Sequence, residues 1–410
     1  MSFCHGISPA DILLPAAGVD LTRWAVIACD QYTSQSEYWQ KVGETVGSSP
    51  STLNLIQPEI RLDQADRRLP FIRDCMRRYL NEGVLTRRVT DGFVLTLRKT
   101  ASGLRPGLVG KVDLDAYEFA PGNDRPVRAS EGTIIERLPP RVKIREGAPL
   151  ECPHIMLLVD DPKGTLVEAA CARVKETGKL YDFELMLGGG HLSGWKIEGE
   201  SELKRIDEAL SGLFEQGKGF LAAVGDGNHS LATAKACWEK LKKSLSEKEK
   251  QNHPGRYALV EIVNLHCGAL LFRPIHRAVF GADACVLRDA FSAYLAEKGL
   301  SLAEGSAVRF LGAGSYAIKG AEDVLPAVHL QAFLDGYLSS HPEASIDYVH
   351  GEEALRKVCL RSGAAGIELG TIDKAALFPS VRQNGVLPRK SFSMGEADEK
   401  RFYMEARRIL

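Results

Sequence analysis

Just past its middle, the chain carries a strand-length apolar run, a glycine-rich polar loop and an amphipathic helix in immediate succession. The run spans residues 220–224, and the helix that begins near residue 230 repeats apolar side chains at intervals of three and four. A strand that turns directly into a helix leaves backbone N–H groups unsatisfied at the helix N-terminus, where they attract anions such as phosphate. This unit therefore predicts an α/β fold built around a phosphate-binding loop.

The loop also supplies side chains suited to phosphate chemistry. It consists of Gly225, Asp226, Gly227, Asn228, His229 and Ser230. The two glycines let the backbone turn sharply and approach a ligand closely. Asp226 can hold Mg²⁺ or accept a proton, and His229 titrates near neutral pH. Asn228 and Ser230 can both cap the helix, so the alternative interpretation is a capped turn that binds no ligand.

Better-known motifs match the sequence only in part. The loop begins like a dinucleotide fingerprint, but Ser230 stands where the third glycine belongs and a lysine-rich stretch replaces the expected acidic residue. Residues 212–218 imitate a Walker A loop, but Gly219 replaces the required Ser or Thr. The sequence has no His-x-x-x-His or Glu-x-x-His zinc spacing and no Gly-x-Ser-x-Gly elbow, so it does not support a zinc or serine hydrolase.

Strand and helix patterns alternate along most of the 410 residues, which at about 150 residues per domain indicates two or three domains. We predict an α/β (α+β) protein with a small mixed sheet that carries the loop and an additional C-terminal α/β portion. The approximate regions are an N-terminal α/β region (1–150), a region containing the loop (151–280) and a C-terminal α/β region (281–410), which can also form one compact unit. Residues 120–150, rich in Pro, Gly and charge, are predicted to be a linker or an irregular excursion.

Composition narrows the class of partner. Lys and Arg total 52 and Asp and Glu total 53, so the net charge of −1 argues against a dedicated nucleic-acid binder. No apolar run is long enough to span a membrane, and the first residues lack the pattern of a secretory signal. The nine cysteines include no Cys-x-x-Cys pair, which is typical of the reducing cytoplasm. We therefore expect a cytoplasmic protein with a small-molecule ligand and no membrane partner.

Two further basic clusters are candidates for binding a phosphate or carboxylate. Arg273, His276 and Arg277 follow a predicted strand, and Arg389 and Lys390 lie near the C-terminus. For both clusters the alternative is a solvated surface.

Several segments together resemble one protein family. Residues 226–230 resemble the Asp-Gly-His-His-Arg box of a bacterial and archaeal family known as domain of unknown function 1015. Further landmarks agree along most of the chain: residues 28–34, 57–59, 132–137, 273–277 and 387–391. The box is in turn similar to that of the ParB and sulfiredoxin-like superfamily, which includes CTP-binding partition proteins, ATP-dependent sulfiredoxins and a free-serine kinase.

This resemblance implies a bound nucleotide, ATP or ADP with Mg²⁺, whose phosphates lie at the N-terminus of the helix 230–245. Asp226 and His229 occupy matching box positions. Asn228 replaces the first histidine of the box, and Ser230 replaces its arginine. Because the missing arginine removes a charge that would neutralise phosphate, we expect another cation, Arg277 or Lys390, to take its place.

The leading hypothesis is a kinase-like phosphotransferase that transfers phosphate from a nucleotide to a small hydroxyl-bearing metabolite, as the resemblance to the free-serine kinase implies. The loop would hold the phosphates, Asp226 would bind Mg²⁺ or orient the acceptor hydroxyl, and His229 would contact a phosphate oxygen. Asp30 and Glu59 are the candidate general bases. The alternative is a non-catalytic nucleotide-binding regulatory module, which the missing arginine favours. Sulfiredoxin chemistry is disfavoured because the box contains no cysteine.

Overall fold

The computed structural model describes residues 3–33, 35–152, 154–174, 178–388 and 390–410. The chain forms two compact units. Unit 1 comprises Met1–Leu270 together with Glu396–Leu410, and unit 2 comprises Leu271–Gly395. The domain boundaries expected near residues 150 and 280 stay a prediction.

Helices and strands alternate through most of both units. The helices are α1 (Leu21–Trp24), α2 (Ser36–Val46), α3 (Ala65–Asn81), α4 (Leu138–Arg145), α5 (Val167–Val174), α6 (Glu200–Gln216), α7 (Asn228–Leu241), α8 (Glu247–Asn252), α9 (Ala284–Glu297), α10 (Pro326–Ser340), α11 (Glu352–Ser362) and α12 (Leu377–Asn384). In the described part of the chain, none of them combines the length and the apolar character needed to cross a membrane.

The strands of the first half are β1 (Ile7–Ser8), β2 (Ala10–Pro15), β3 (Val26–Ile27), β4 (Leu85–Thr100), β5 (Gly103–Asp113), β6 (Tyr117–Glu118), β7 (Val127–Ala129), β8 (Leu150–Glu151), β9 (Met156–Val159), β10 (Lys179–Glu184) and β11 (His191–Ile197). Those of the second half are β12 (Ala222–Asp226), β13 (Tyr257–Asn264), β14 (Phe272–Phe280), β15 (Ser301–Phe310), β16 (Gly314–Lys319), β17 (Ser345–His350), β18 (Ala365–Leu369), β19 (Phe392–Met394), β20 (Phe402–Tyr403) and β21 (Arg407–Arg408).

Unit 1 is organised around an eleven-stranded mixed sheet with the order β10-β11-β4-β5-β13-β9-β12-β7-β6, to which β1 and β2 add at β5 and β4. Strand β12, which leads into the predicted phosphate loop, runs antiparallel to β9 and parallel to β7. All four residues of β9 are buried, as expected for a strand inside a sheet. The predicted α/β class with a mixed sheet is confirmed, but the sheet has eleven strands and is not the small one expected.

The stretch 120–150, predicted to be a linker or an excursion, is part of this architecture. It supplies β7, which pairs directly with β12, and α4, whose first turn contains Pro139 and Pro140. Prolines are tolerated there because the first N–H groups of a helix have no intrahelical acceptor. The sequence pattern failed here because β7 is only three residues long, too short for alternation to identify it.

Unit 2 is a separate α/β body. Its six-stranded sheet has the order β16-β15-β18-β14-β17, and β19 pairs with β14. An aromatic cluster of Phe291, Phe310 and Phe333 packs α9 and α10 with β15, with ring centroids 5.2 to 6.1 Å apart. The additional C-terminal α/β portion expected from the sequence is therefore present.

The last fifteen residues, Glu396–Leu410, return to unit 1 and are called here the C-terminal segment. Strand β20 pairs with β3, and β21 pairs with β8. Arg401, 5% exposed, contacts Glu261 Oε2 at 3.0 Å and Glu405 Oε2 at 2.6 Å. Further along, Arg407 contacts Glu151 at 2.7 Å. Burying such charges costs free energy unless they are paired, so these ion pairs fix the C-terminal segment in one position against unit 1.

We predict that Arg401→Met lowers the free energy of unfolding of unit 1 by about 3–5 kcal/mol, because two buried carboxylates lose their cation. Urea denaturation followed by tryptophan fluorescence measures this, since every tryptophan lies in unit 1: Trp24, Trp39, Trp195 and Trp238. The matched control is Arg88→Met on the exposed face of β4, with an expected change within about 0.5 kcal/mol. Equal effects of the two substitutions would contradict this role of Arg401.

Candidate functional site

The predicted phosphate loop forms a tight turn between β12 and α7. Gly227 is the N-cap of α7 with φ +77°, and no side chain caps this helix. A Cβ atom at Gly227 would lie 3.1 Å from Ile155 Cα, so the turn requires glycine for its conformation and for space. The expectation that Asn228 or Ser230 caps the helix is wrong, because α7 begins at Asn228 itself. The first turn of the helix thus lacks the side-chain acceptor that a capped turn would provide.

Asp226 at the end of β12 is paired with a lysine from the C-terminal segment. Its Oδ1 accepts a hydrogen bond from Gly227 N–H at 2.9 Å, and its Oδ2 lies 3.3 Å from Lys400 Nζ. Both side chains are largely buried, with 18% and 15% exposed, so water screens this pair only weakly. Lys400 therefore brings a positive charge to the loop.

Asp30, a predicted general base, lies in the same electrostatic environment. Its Oδ2 is 3.6 Å from His154 Nε2, and its Oδ1 accepts a hydrogen bond from the Gln31 amide at 3.0 Å. Burial acts to raise the pKa of Asp30, but His154, the Gln31 hydrogen bond and the charge of Lys400 together lower it. The carboxylate is therefore ionised at neutral pH and remains 28% exposed.

A buried tyrosine orients His154 toward Asp30. Tyr403 Oη accepts a hydrogen bond from the Cys29 backbone N–H at 3.1 Å and lies 2.7 Å from His154 Nδ1. Burial, with the nearby Cys29 and Asp30, raises the pKa of Tyr403 well above its usual value, so the phenol keeps its proton. The phenol can donate to Nδ1 of a neutral imidazole or accept from Nδ1 of an imidazolium, and in both forms Nε2 carries a proton that faces Asp30.

Glu59, the other predicted base, lies close to this cluster but is engaged in an ion pair. Its carboxylate accepts from Arg141 Nε at 3.0 Å, and its backbone N–H donates to Cys29 O at 2.8 Å. Burial and the charge of Asp30 raise the pKa of the Cys29 thiol to about 12, so this cysteine is not a nucleophile at neutral pH. Of the two carboxylates, Asp30 is the better placed to accept a proton.

The other polar residues of the loop are bonded to the stretch that follows β7. Asn228 Oδ1 accepts from the Ser130 N–H at 3.3 Å, and His229 Nε2 accepts from the Ile134 N–H at 3.3 Å. A neutral His229 therefore carries its proton on Nδ1. Between these contacts, the hydroxyl oxygen of Thr133 is buried without a hydrogen-bond partner among the described residues.

The residues present do not form a complete metal site. In the described ranges, no group of three or more His, Cys, Asp or Glu side chains could hold a metal ion. Lys400 already neutralises Asp226, the predicted Mg²⁺ ligand. Since protein-bound Mg²⁺ often takes one or two carboxylates and completes its shell with phosphate oxygens and water, Asp226 fits only as a single ligand to an ion that arrives with phosphate.

The second cluster of predicted residues belongs to unit 2. Arg277 is fully buried there, with Nη2 3.2 Å from Gln331 Oε1 and the guanidinium over the Tyr348 ring at 5.2 Å. His276 is also buried and accepts the Leu369 N–H at 3.1 Å. Both side chains are bonded inside unit 2, and the role of Arg277 as the cation that replaces the box arginine stays a prediction.

The remaining basic candidates are on the surface or outside the description. Arg273 and Lys390 are exposed in unit 2, and their role in binding phosphate stays a prediction. Arg389 and Ser34 lie outside the described residues.

Three residues of the cluster were not anticipated from the sequence: Lys400, His154 and Tyr403. His154 lies two residues before the start of β9, the antiparallel neighbour of β12, so a correct strand order would have indicated it. No local pattern distinguishes Lys400 or Tyr403, because their position follows only from the return of the C-terminal segment.

We predict that Gly227→Ala lowers the free energy of unfolding of unit 1 by about 1–2 kcal/mol, because alanine is strained at positive φ and its Cβ crowds Ile155. The control is Gly43→Ala inside α2, where an added Cβ meets open space. That substitution should raise stability by about 0.5–1 kcal/mol. Urea denaturation of both variants tests the prediction, and a stabilised Gly227→Ala protein would contradict it.

The solved structures that match this chain are similar to it only at low TM-scores. A free serine kinase in complex with AMP has a TM-score of 0.37 at 12% identity, covering 72% of this chain and 90% of that chain. A conserved hypothetical protein from Pyrococcus furiosus has a TM-score of 0.33 at 13% identity, covering 70% and 90%. SbnI with a C-terminal truncation, from Staphylococcus aureus, has a TM-score of 0.35 at 10% identity, covering 70% and 82%. Structural similarities at these TM-scores do not indicate the activity of this protein.

No curated protein matches the chain. The model of one family, described as Protein of unknown function (DUF1015), matches residues 13–350. This confirms the family expected from the landmarks along the sequence, whereas the wider resemblance to the ParB and sulfiredoxin-like superfamily stays a prediction. The chain therefore belongs to the family described as Protein of unknown function (DUF1015).

Proposed function

We propose that this protein is a nucleotide-dependent phosphotransferase that acts on a small hydroxyl-bearing metabolite, with free serine as the first acceptor to test. One observation carries the proposal: a helix N-terminus without a side-chain cap, a buried lysine and an ionised aspartate occur around a single loop. These are the elements that phosphoryl transfer needs, since its catalysis is mainly positioning and neutralisation of charge.

The phosphates of ATP or ADP bind at the N-terminus of α7. The backbone N–H groups of the first turn and the helix dipole attract the phosphate oxygens. Lys400 supplies a cation at the loop, where the family box has an arginine, and Asp226 holds it in place. His229 contacts a phosphate oxygen, and the unpartnered Thr133 hydroxyl is available as a further donor.

Asp30 orients the acceptor and receives its proton. The hydroxyl oxygen forms a bond to the terminal phosphorus while the bond from that phosphorus to the bridging oxygen breaks. The leaving group is ADP when the donor is ATP, and AMP when the donor is ADP. A carboxylate with a lowered pKa is a weak base, but the loose transition state of phosphoryl transfer demands little proton abstraction before the leaving bond breaks.

Mg²⁺ enters the proposal only with the nucleotide. Asp226 would contribute one carboxylate ligand to an ion already bound by phosphate oxygens, and the ion would neutralise phosphate charge. Titrations with and without Mg²⁺ test this part separately.

The alternative function is a non-catalytic nucleotide-binding module. Ser230 in place of the box arginine favours it, because catalysis tolerates the loss of a neutralising charge less well than binding does. Binding without turnover on every acceptor distinguishes it from the phosphotransferase.

The test combines calorimetric titration and turnover. ATP, ADP, CTP and NAD are titrated with and without Mg²⁺, and transfer to serine and other hydroxyl metabolites is followed by phosphorus NMR. We expect one nucleotide to bind, with Asp226→Asn and His229→Ala each weakening it about tenfold or more, equivalent to about 1.4 kcal/mol. We expect Asp30→Asn to keep the affinity but to lose turnover by about 10²-fold or more.

The matched control is Asp124→Asn, which removes an exposed carboxyl in unit 1 and should change neither quantity. If no nucleotide binds, the phosphate site itself is contradicted. If a nucleotide binds but Asp30→Asn turns over like the unmodified protein, the role of Asp30 is contradicted while the site stands.

A further inference from the structure

A second cleft of about 610 Å³ opens in unit 1, where β2, β4, β5 and β13 meet the end of the C-terminal segment. It shares no residue with the candidate site around Asp226. Its walls carry four basic and two acidic side chains, so the cleft is basic although the chain as a whole has a net charge of −1.

Several of these charges are already neutralised. Arg87 Nη1 contacts Asp11 Oδ2 at 3.0 Å, and Asp11 Oδ1 accepts the Asp91 N–H at 2.9 Å. Arg407 is buried and paired with Glu151. The two basic side chains left in the cleft are those of Lys111 and Arg408.

Lys111 and Arg408 form no ion pair with a carboxylate within the part of the chain that the structure describes. Lys111 is half-buried, and its ammonium lies 4.7 Å from the centroid of the Tyr257 ring. Burial, followed by the charge of Arg407, lowers the pKa of Lys111, and the charges of Asp91, Asp11 and Asp113 only partly oppose this. A cation in such a position is poorly solvated. An anionic partner therefore stabilises it by a larger free energy than it would stabilise a surface lysine. Arg408 is exposed on the same cleft.

The cleft also has an apolar surface for the rest of a ligand. Leu13 and Leu85 line it together with the ring of Tyr257. Pockets that recognise small organic ligands combine such apolar contacts with a few charged groups that fix orientation.

We propose that this cleft binds a small organic anion, a phosphate monoester or a carboxylate that carries an apolar or aromatic group. The anionic group lies between Lys111 and Arg408, and the apolar group packs on Leu13, Leu85 and Tyr257. The proposal is independent of the phosphotransferase activity, because it uses other residues.

Occupation of the cleft would act on the C-terminal segment. Arg408 lies eight residues after Lys400 and five after Tyr403 in the same segment. A ligand that binds the folded cleft and not the unfolded chain stabilises the folded state by mass action. The same ligand should therefore raise the thermal unfolding temperature of unit 1, read from tryptophan fluorescence.

Three probes test the site by calorimetry: phenyl phosphate, benzoate and inorganic phosphate. We expect at least one aromatic anion to bind saturably and more tightly than inorganic phosphate, and the comparison of phenyl phosphate with benzoate distinguishes the two anionic groups. Lys111→Met and Arg408→Gln should each weaken that binding about tenfold or more. The control Lys204→Met, at an exposed position of α6, should leave it unchanged.

Lys400→Met distinguishes this cleft from the candidate site, because it should leave binding of the aromatic anion unchanged. A measurement on the unmodified protein removes any dependence on the folding of variants: the bound anion should slow labelling of Lys111 by trinitrobenzenesulfonate, read by peptide mass spectrometry. No saturable binding up to on the order of 10 mM, or unchanged binding by Lys111→Met, would overturn the proposal.

Discussion

The buried ion pairs of Arg401 determine where the end of the chain lies in unit 1. A guanidinium held by Glu261 and Glu405 has one acceptable position, because any shift of register would leave charges buried without partners. The ion pairs of Arg401 also position two residues of the candidate site, because Lys400 directly precedes Arg401 and Tyr403 follows it by two residues. The residues that neutralise Asp226 and orient His154 are thus positioned by a network whose role is structural.

Much of the secondary structure could be predicted, because its signals are local. Apolar residues repeat at helical spacing over residues 36–46, and the structure has α2 over Ser36–Val46. The strand and helix flanking the phosphate loop were also anticipated, and β12 and α7 correspond to them within a few residues. The predicted polar cap of α7 was wrong because a tertiary contact decides the N-cap residue. Ile155 packs against the turn, and the N-cap is Gly227.

The candidate site could be predicted only in part, because its two sides are distant in sequence. The loop was identified from residues 225–230, whereas Asp30 and Glu59 were named as candidate bases and that role stays a prediction. The replacement cation was sought at Arg277 or Lys390. The Arg277 side chain is bonded within unit 2, and the role of Lys390 stays a prediction. Lys400 is 174 positions from Asp226 (400 − 226), and no periodicity relates residues so far apart.

In the proposed function, Lys400 replaces the arginine that is missing from the box. The most direct test is a calorimetric titration of ADP into Lys400→Met, Lys400→Arg and the double variant that combines Lys400→Met with Ser230→Arg. We predict that Lys400→Met weakens binding by about tenfold or more, that Lys400→Arg retains most of the affinity, and that Ser230→Arg restores binding to the Lys400→Met protein. An unchanged affinity in Lys400→Met would contradict the claim.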